Sequence, residues 1–156
     1  MKIYEAIKAD HDVQRDLCDR LAGTAGASEE RKKLWTELKK ELEVHAVAEE
    51  RYFYSPLIDT DKMQEDARHG MAEHHEMDEL IEELDDSDLN SPEWLENLGK
   101  LIQKVKHHLK DEEEDFFEKS KDVYSEEEAK SLAKSYQDTV VAYRESWPES
   151  IPGNEG

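Results

Sequence analysis

Apolar residues along this chain recur every three or four positions, with charged residues filling the intervals. That period belongs to helices that bury one face. Five such stretches separate at turn signals. The first runs from Ile3 to Leu21 and stops at Gly23-Thr24-Ala25-Gly26, where two glycines favour a break. Ser28 can cap a second, long stretch with Leu34, Leu38, Leu42, His45, Glu49 and Tyr52 down one side. It is expected to end before Pro56, because proline disfavours helix at the residue ahead of it. Asp61 with Gln64 resembles a capping box for a third helix that reaches Leu84. The acidic run Asp85-Asp86-Ser87-Asp88 follows as a solvated loop.

Ser91-Pro92 supplies an N-cap and a proline at the first helical position. The fourth helix that it opens carries Leu98, Leu101, Ile102, Val105, His108, Glu112 and Phe116 along its apolar side. Ser125 with Glu128 forms another capping box, for a fifth helix that includes Leu132, Tyr136, Val140 and Tyr143 and stops near Trp147-Pro148. The pattern therefore predicts an all-α protein. An up-down-up-down four-helix bundle spans 1–120, an additional C-terminal helix at 121–147 packs on it, and a loose tail occupies 148–156.

Two segments repeat. His45-Ala-Val-Ala-Glu49-Glu50 returns as His108-Leu-Lys-Asp-Glu112-Glu113, and aromatics follow each copy (Tyr52-Phe53-Tyr54 and Phe116-Phe117). Residues four apart share a helix face, so each copy aims an imidazole and a carboxylate the same way. Both pairs fall within the apolar stripes, after Leu38 and Leu42 on one helix and after Leu101 and Val105 on the other. Two ionised glutamates facing each other in a core would repel severely and lose hydration worth several kcal/mol each. A cation removes that conflict and takes neutral histidines as further ligands. The first helix adds His11, on the line of Ile7, Cys18 and Leu21, and the third adds His74, on the line of Met77, Ile81 and Leu84. The candidate metal ligands are thus His11, His45, Glu49, His74, His108 and Glu112. His107 stands five residues before Glu112 and offers a second register, but the apolar stripe favours His108. His69, His75 and His107 are expected at the surface or rim, and Glu50, Glu113 and Glu114 on solvated faces. Tyr52 is placed either to hydrogen-bond near the centre or simply to pack.

Charge and composition narrow the partners. With 21 Lys and Arg against 41 Asp and Glu, the net charge of −20 repels phosphate backbones and anionic lipid, which argues against nucleic acid and membrane surfaces. Forty per cent charged residues would also suit a disordered chain, but here the apolar residues are periodic rather than scattered. Cys18 stands alone and is expected in the core. With no disulfide to form, no signal-peptide core in Met1–Asp10 and no apolar run of membrane-span length, the expected location is the cytoplasm.

One His, then His-x-x-x-Glu, then one His, then His-x-x-x-Glu resembles the hemerythrin-like, HHE cation-binding family over roughly residues 3 to 120. The surroundings agree, in Asp10-His11, His45 to Tyr54, Glu73-His74 and His108 to Phe117. The resemblance implies two iron ions joined by an oxo or hydroxo bridge, with His11, His45, His74 and His108 as terminal ligands and Glu49 and Glu112 as bridges. Zinc sites more often have four ligands that include cysteine, so iron leads, with manganese or zinc behind it. The chain departs from the oxygen-carrying hemerythrins on its third helix, where His74-His75-Glu76-Met77-Asp78 puts Asp78 at the position of a fifth histidine. Asp78 then stands as a further ligand, as an outer acceptor or simply in solvent, and simple reversible oxygen carriage is put in doubt.

The function implied is binding of, or reaction with, a small diatomic or peroxide ligand: O₂ sensing or storage, nitric oxide handling, or peroxide reduction. Whether the protein is an enzyme stays open, and a sensor would need a separate output or redox partner. Two alternatives compete. One is iron storage or donation with exchangeable metal, and the other is an acidic, metal-free helical interaction module. No nucleophile triad or phosphate-cradling loop is present in the sequence.

Overall fold

Ser28, Ser91 and Ser125 set the starts of three helices, each hydroxyl accepting a backbone N–H from three residues on, in Arg31, Trp94 and Glu128. Glu128 returns the bond to the Ser125 N–H at 3.1 Å, completing the expected capping box. The computed structural model describes residues 1–151. They form α1 (Ile3–Ala22), α2 (Glu29–Glu49), α3 (Gln64–Asp85), α4 (Pro92–Asp111) and α5 (Glu126–Ser146), with no strand among the described residues. Helices α1 to α4 make the four-helix bundle, and α5 packs outside it against α1 and α2. Of the expected tail, residues 152–156 lie outside the described residues. Just before them, the Ser150 hydroxyl donates to the Tyr143 carbonyl at 2.9 Å.

Two expectations are corrected. Pro56 does not end the second helix. The chain passes through a π-helical turn, Glu50–Tyr54, and then a last α turn, Ser55–Ile58, that contains the proline. In the widened turn the Ser55 N–H bonds to the Glu50 carbonyl five residues back, which shifts the ladder just where proline would have disturbed it. The third helix has no Asp61–Gln64 capping box: its N-cap is Met63, without a side-chain cap, and the turn before it is held by Thr60. Its hydroxyl accepts the Met63 N–H at 3.2 Å, and its carbonyl accepts that of Gln64 at 3.0 Å.

The fourth helix has the same interruption. A π-helical turn, Glu112–Phe116, follows α4 and leads into Phe117–Ser120. The internal repeat in sequence is therefore a repeat in backbone as well.

The apolar residues divide into two clusters. One gathers Leu17, Leu21, Leu38, Leu42, Ile81, Trp94, Leu98 and Leu101. The other gathers Ile3, Ile7, Val44, Phe53, Leu57, Met63, Phe117, Tyr124 and Val140, with Tyr136 from α5. Between them lies a layer of buried histidine and glutamate. Cys18 is buried in the first cluster, and burial pushes its thiol up to about 12, as suits a core residue.

Arg31, only 1% exposed, ties the bundle end together. Its guanidinium donates to Thr24 Oγ1 (2.9 Å), the Thr24 carbonyl (2.7 Å) and the Leu89 carbonyl (2.7 Å), joining the α1–α2 loop to the α3–α4 loop. It also stacks over Trp94, 5.0 Å from the ring centroid. Arg31→Ala leaves those acceptors unpaired and is expected to cost about 3 kcal/mol. Urea denaturation measures it, and a loss under about 1 kcal/mol would mean that these bonds contribute little.

Candidate metal centre

The heptad-like spacing of α1 to α4 turns one histidine from each helix into the layer between the two clusters. None of His11, His45, His74, His108, Glu49 and Glu112 is more than 5% exposed. The structure brings all six together. His11, His45, Glu49 and Glu112 form one group, and Glu49, His74 and His108 a second, with the donor atoms of each group within 4.8 Å of one another. Glu49 belongs to both. Its Oε2 lies 3.5 Å from His45 Nε2, and its Oε1 lies 3.1 Å from His74 Nε2. Glu112 also spans the layer, with Oε1 3.1 Å from His11 Nε2 and Oε2 3.4 Å from His108 Nε2.

Within the layer these atoms are close without being satisfied. His11 Nε2, His45 Nε2, both Glu49 oxygens and Glu112 Oε1 are buried and have no hydrogen-bond partner. Orphaned polar atoms are normally rare in a core, and five converging on one layer fit cation coordination. The donor set is nitrogen and oxygen throughout, with no thiolate, which suits iron or manganese better than structural zinc.

Each imidazole is held from behind through Nδ1. His11 meets Glu113 Oε2 at 2.7 Å, and His108 meets Glu73 Oε1 at 2.8 Å. His74 meets Glu50 Oε1 at 3.3 Å, and His45 meets the Tyr136 hydroxyl at 2.5 Å. Tyr136 in turn donates to Asp10 Oδ2 at 2.5 Å, and Arg144 reaches Asp10 Oδ1 at 3.1 Å. Such outer partners fix the tautomer that presents Nε2 inward. Glu50 and Glu113 are half-buried, and beyond the solvated faces that the sequence suggested they also serve as supports for His74 and His11. The signal was there in the doublets Glu49-Glu50 and Glu112-Glu113, where the first acid points in and the second reaches the imidazole of a neighbouring helix.

Tyr54 is the residue that helical spacing hides. In an α-helix a residue five after Glu49 faces elsewhere, but the π turn brings it back towards the same face. Its hydroxyl donates to Glu112 Oε2 and lies 3.4 Å from His108 Nε2, inside the second group. Gly70 makes room for it, since a Cβ there would fall 2.5 Å from the Tyr54 Cζ and hydroxyl. The equivalent residue of the other copy, Phe117, stacks on the His11 ring at 6.1 Å between centroids. The two halves are therefore closed by a phenol and by a bare ring. Tyr52 does not turn to the centre, because its hydroxyl accepts from Thr139 Oγ1 at 2.9 Å.

The remaining histidines are exposed. His75 pairs with Glu79, His107 with Asp111, and His69 approaches Glu73. Asp78 is not among the converging groups. It stands at the rim of a small cavity that His74 also lines, and burial, with Glu50 nearby, raises its carboxyl above the ordinary value.

The titrations follow from this packing. Burial would depress His45, but the charges of Glu49 and Asp10 lift it to about 10. His74 and His108 are likewise lifted to about 9 against their burial, by Glu49 and Glu50 for one and by Glu112 and Glu73 for the other. Burial would raise Glu112, yet its contacts with Glu49, His108 and His11 hold it well below the carboxylate range. Glu113 is held at about 2, against its own burial, by His11 and Arg15.

Tyr136→Phe removes the hydroxyl behind His45 and leaves the ring in place. Metal affinity of that half is expected to fall about 10–100-fold, as is typical for the loss of an outer partner. Chelator competition measures it, and unchanged affinity would show that His45 needs no support from α5.

Four histidines and two shared carboxylates inside a four-helix bundle define a protein built to hold cations in its core. The match to known families is specific. Residues 2–120 match the hemerythrin HHE cation binding domain, and the chain belongs to that family. No curated protein matches the chain. Among solved structures, a hemerythrin HHE cation binding domain-containing protein from Mycobacterium kansasii shares the fold, with a TM-score of 0.83 and 24% identity over 94% of this chain and 89% of that one.

Proposed function

We propose that this chain binds two iron ions and presents them to a small diatomic or peroxide ligand. One ion would be held by His11, His45, Glu49 and Glu112, and the other by His74, His108 and the same two glutamates, with Tyr54 beside it. The single observation that carries this reading is a layer of buried donor atoms in two groups that share Glu49, five of the atoms unpartnered, with Glu112 also reaching one histidine of each group. When bound, the pair would supply one- or two-electron chemistry that no side chain here supplies. The chain's own part is to orient four imidazoles through Glu113, Tyr136, Glu50 and Glu73, to neutralise the ionic charge with two carboxylates, and to keep bulk water out.

Burial favours this over storage or donation. A ligand set no more than 5% exposed suits retention of metal rather than rapid exchange with a client. A metal-free interaction module would leave the two buried acids without a purpose. Among the described residues no helix is long and apolar enough to cross a membrane. The buried, single Cys18 asks for no oxidising compartment, so the working location in this reading is the cytoplasm. Absorption spectra of the reduced, iron-loaded protein on addition of O₂, nitric oxide or hydrogen peroxide test the proposal. A spectral change with at least one of them is expected. Silence towards all three, with iron retained, would leave only a structural or storage role.

A further inference from the structure

Gln14 lies one turn beyond His11 on α1 and is 1% exposed. Its amide nitrogen is buried with no hydrogen-bond partner. An amide in that state is normally paired with protein or water, and a Leu or Met would pack at such a position without the difficulty. The side chain borders a cavity of about 10 Å³, room for the centre of about one water molecule, together with His45, His74 and His108. Three of the four inward imidazoles therefore meet Gln14 around one small space, and its other walls are mainly apolar, including Leu42, Met77, Ile81 and Leu109. Gln14 and Asp78 are its only polar lining residues besides the histidines, and Asp78 is at the outer edge.

The adjoining surface has a charge of its own. A surface groove of about 190 Å³ shares Ala46, His74 and Asp78 with this cavity and is flanked by Glu43 and Glu50. An acidic rim disfavours approach of preformed anions and passes neutral molecules. Inside, by contrast, the lining includes Gln14, whose amide N–H₂ has no partner.

We infer that Gln14 is the specificity-determining residue of the centre, its amide donating a hydrogen bond to the outer atom of a small ligand seated in this cavity. The inference rests on the two-iron reading above. It favours ligands that carry a strong acceptor atom away from the ions, such as peroxide or the probe ion azide, over nitric oxide, whose far atom accepts weakly.

The test compares wild type with Gln14→Met, which keeps side-chain length and removes the amide. Iron content, the melting temperature of the metal-free protein, and equilibrium binding of azide and of nitric oxide are measured by elemental analysis, calorimetry and absorption. The variant is expected to keep its iron and to melt at the same temperature or higher, because an unpaired buried amide has been removed. Azide binding should weaken about tenfold, the effect of losing one hydrogen bond to a charged acceptor, while nitric oxide binding stays within about twofold. Azide affinity unchanged within about twofold, or equal weakening for both ligands, would overturn the assignment. So would loss of iron or a lowered melting temperature in the variant, which would make Gln14 a structural residue. Failure of the two-iron reading appears separately, as absence of iron in wild type before any ligand is added.

Discussion

Changing Glu49 to Gln is expected to empty both halves of the centre at once. Glu49 is the one residue common to both groups of converging donors, and its two oxygens point to different histidines, 3.5 Å from His45 Nε2 and 3.1 Å from His74 Nε2. An amide is neutral, binds cations weakly through oxygen, and turns an N–H₂ towards one imidazole. A change at an outer partner typically costs about 10–100-fold in metal affinity, and loss of a shared inner carboxylate should exceed that range. Iron is expected to fall from two ions per chain to a small residue, and with it the stabilisation that bound metal gives the folded state. The fold itself should survive, because the two apolar clusters on either side of the layer do not include Glu49. Elemental analysis and melting curves with and without iron measure both effects. Retention of a full ion in Glu49→Gln would show that the halves are independent.

The second large effect concerns pH. In the metal-free protein His45 titrates at about 10, and His74 and His108 at about 9, against about 6.5 for a histidine in the unfolded chain. A raised histidine stabilises the fold fully below the unfolded value and loses that contribution as pH rises through the folded one. Glu112 and Glu113 are depressed, so their contribution is present above the ordinary carboxylate range and is lost as pH falls. Metal-free protein should therefore be most stable between about pH 5 and 6.5, and its melting temperature should drop by about 5 °C or more towards pH 9.5. In the proposed reading iron would take the place of those protons. Loading at pH 7 should release protons to solvent, and the alkaline loss should be absent from the loaded protein up to pH 9. Calorimetry across pH, with a pH-indicator assay of loading, measures these. A flat profile for the metal-free protein would mean that the imidazoles are neutral there.

How much of this could be seen in the sequence depends on which period governed each residue. The α-helical period governs His11, His45, Glu49, His74, His108 and Glu112, and their place in apolar stripes was enough to predict that they meet. Serine caps at 28, 91 and 125 are local chemistry and were equally legible. The π turns were not. Nothing in Glu50-Arg51-Tyr52-Phe53-Tyr54 announces a five-residue turn, and so Tyr54 was overlooked in favour of Tyr52, which an ideal helix would have placed closer to the glutamate. Partners brought from distant parts of the chain were hidden for a different reason. Tyr136 lies 91 residues from His45, and Glu113 lies 102 from His11; those pairings are products of packing, which spacing along one helix does not encode. The acids behind the histidines also resemble ordinary surface charge in a chain carrying 41 Asp and Glu.

The centre's asymmetry follows from the same backbone repeat. Both copies place an aromatic five residues after the glutamate, but one is Tyr54, bonded to Glu112, and the other is Phe117, stacked on His11. The half built on His74 and His108 thus has a phenol beside its donor atoms, and the half built on His11 and His45 has an apolar cover. Together with Gln14 this gives two chemically different halves from one duplicated motif.

Iron K-edge X-ray absorption on the loaded protein, with the iron content of the same sample, asks most directly whether two acids were buried to share a pair of cations. Two iron ions per chain, nitrogen and oxygen neighbours only, and an iron–iron vector no longer than about 4 Å are expected, as for two-metal sites in general. A single iron per chain with no second metal in range, or sulfur among its neighbours, would contradict it.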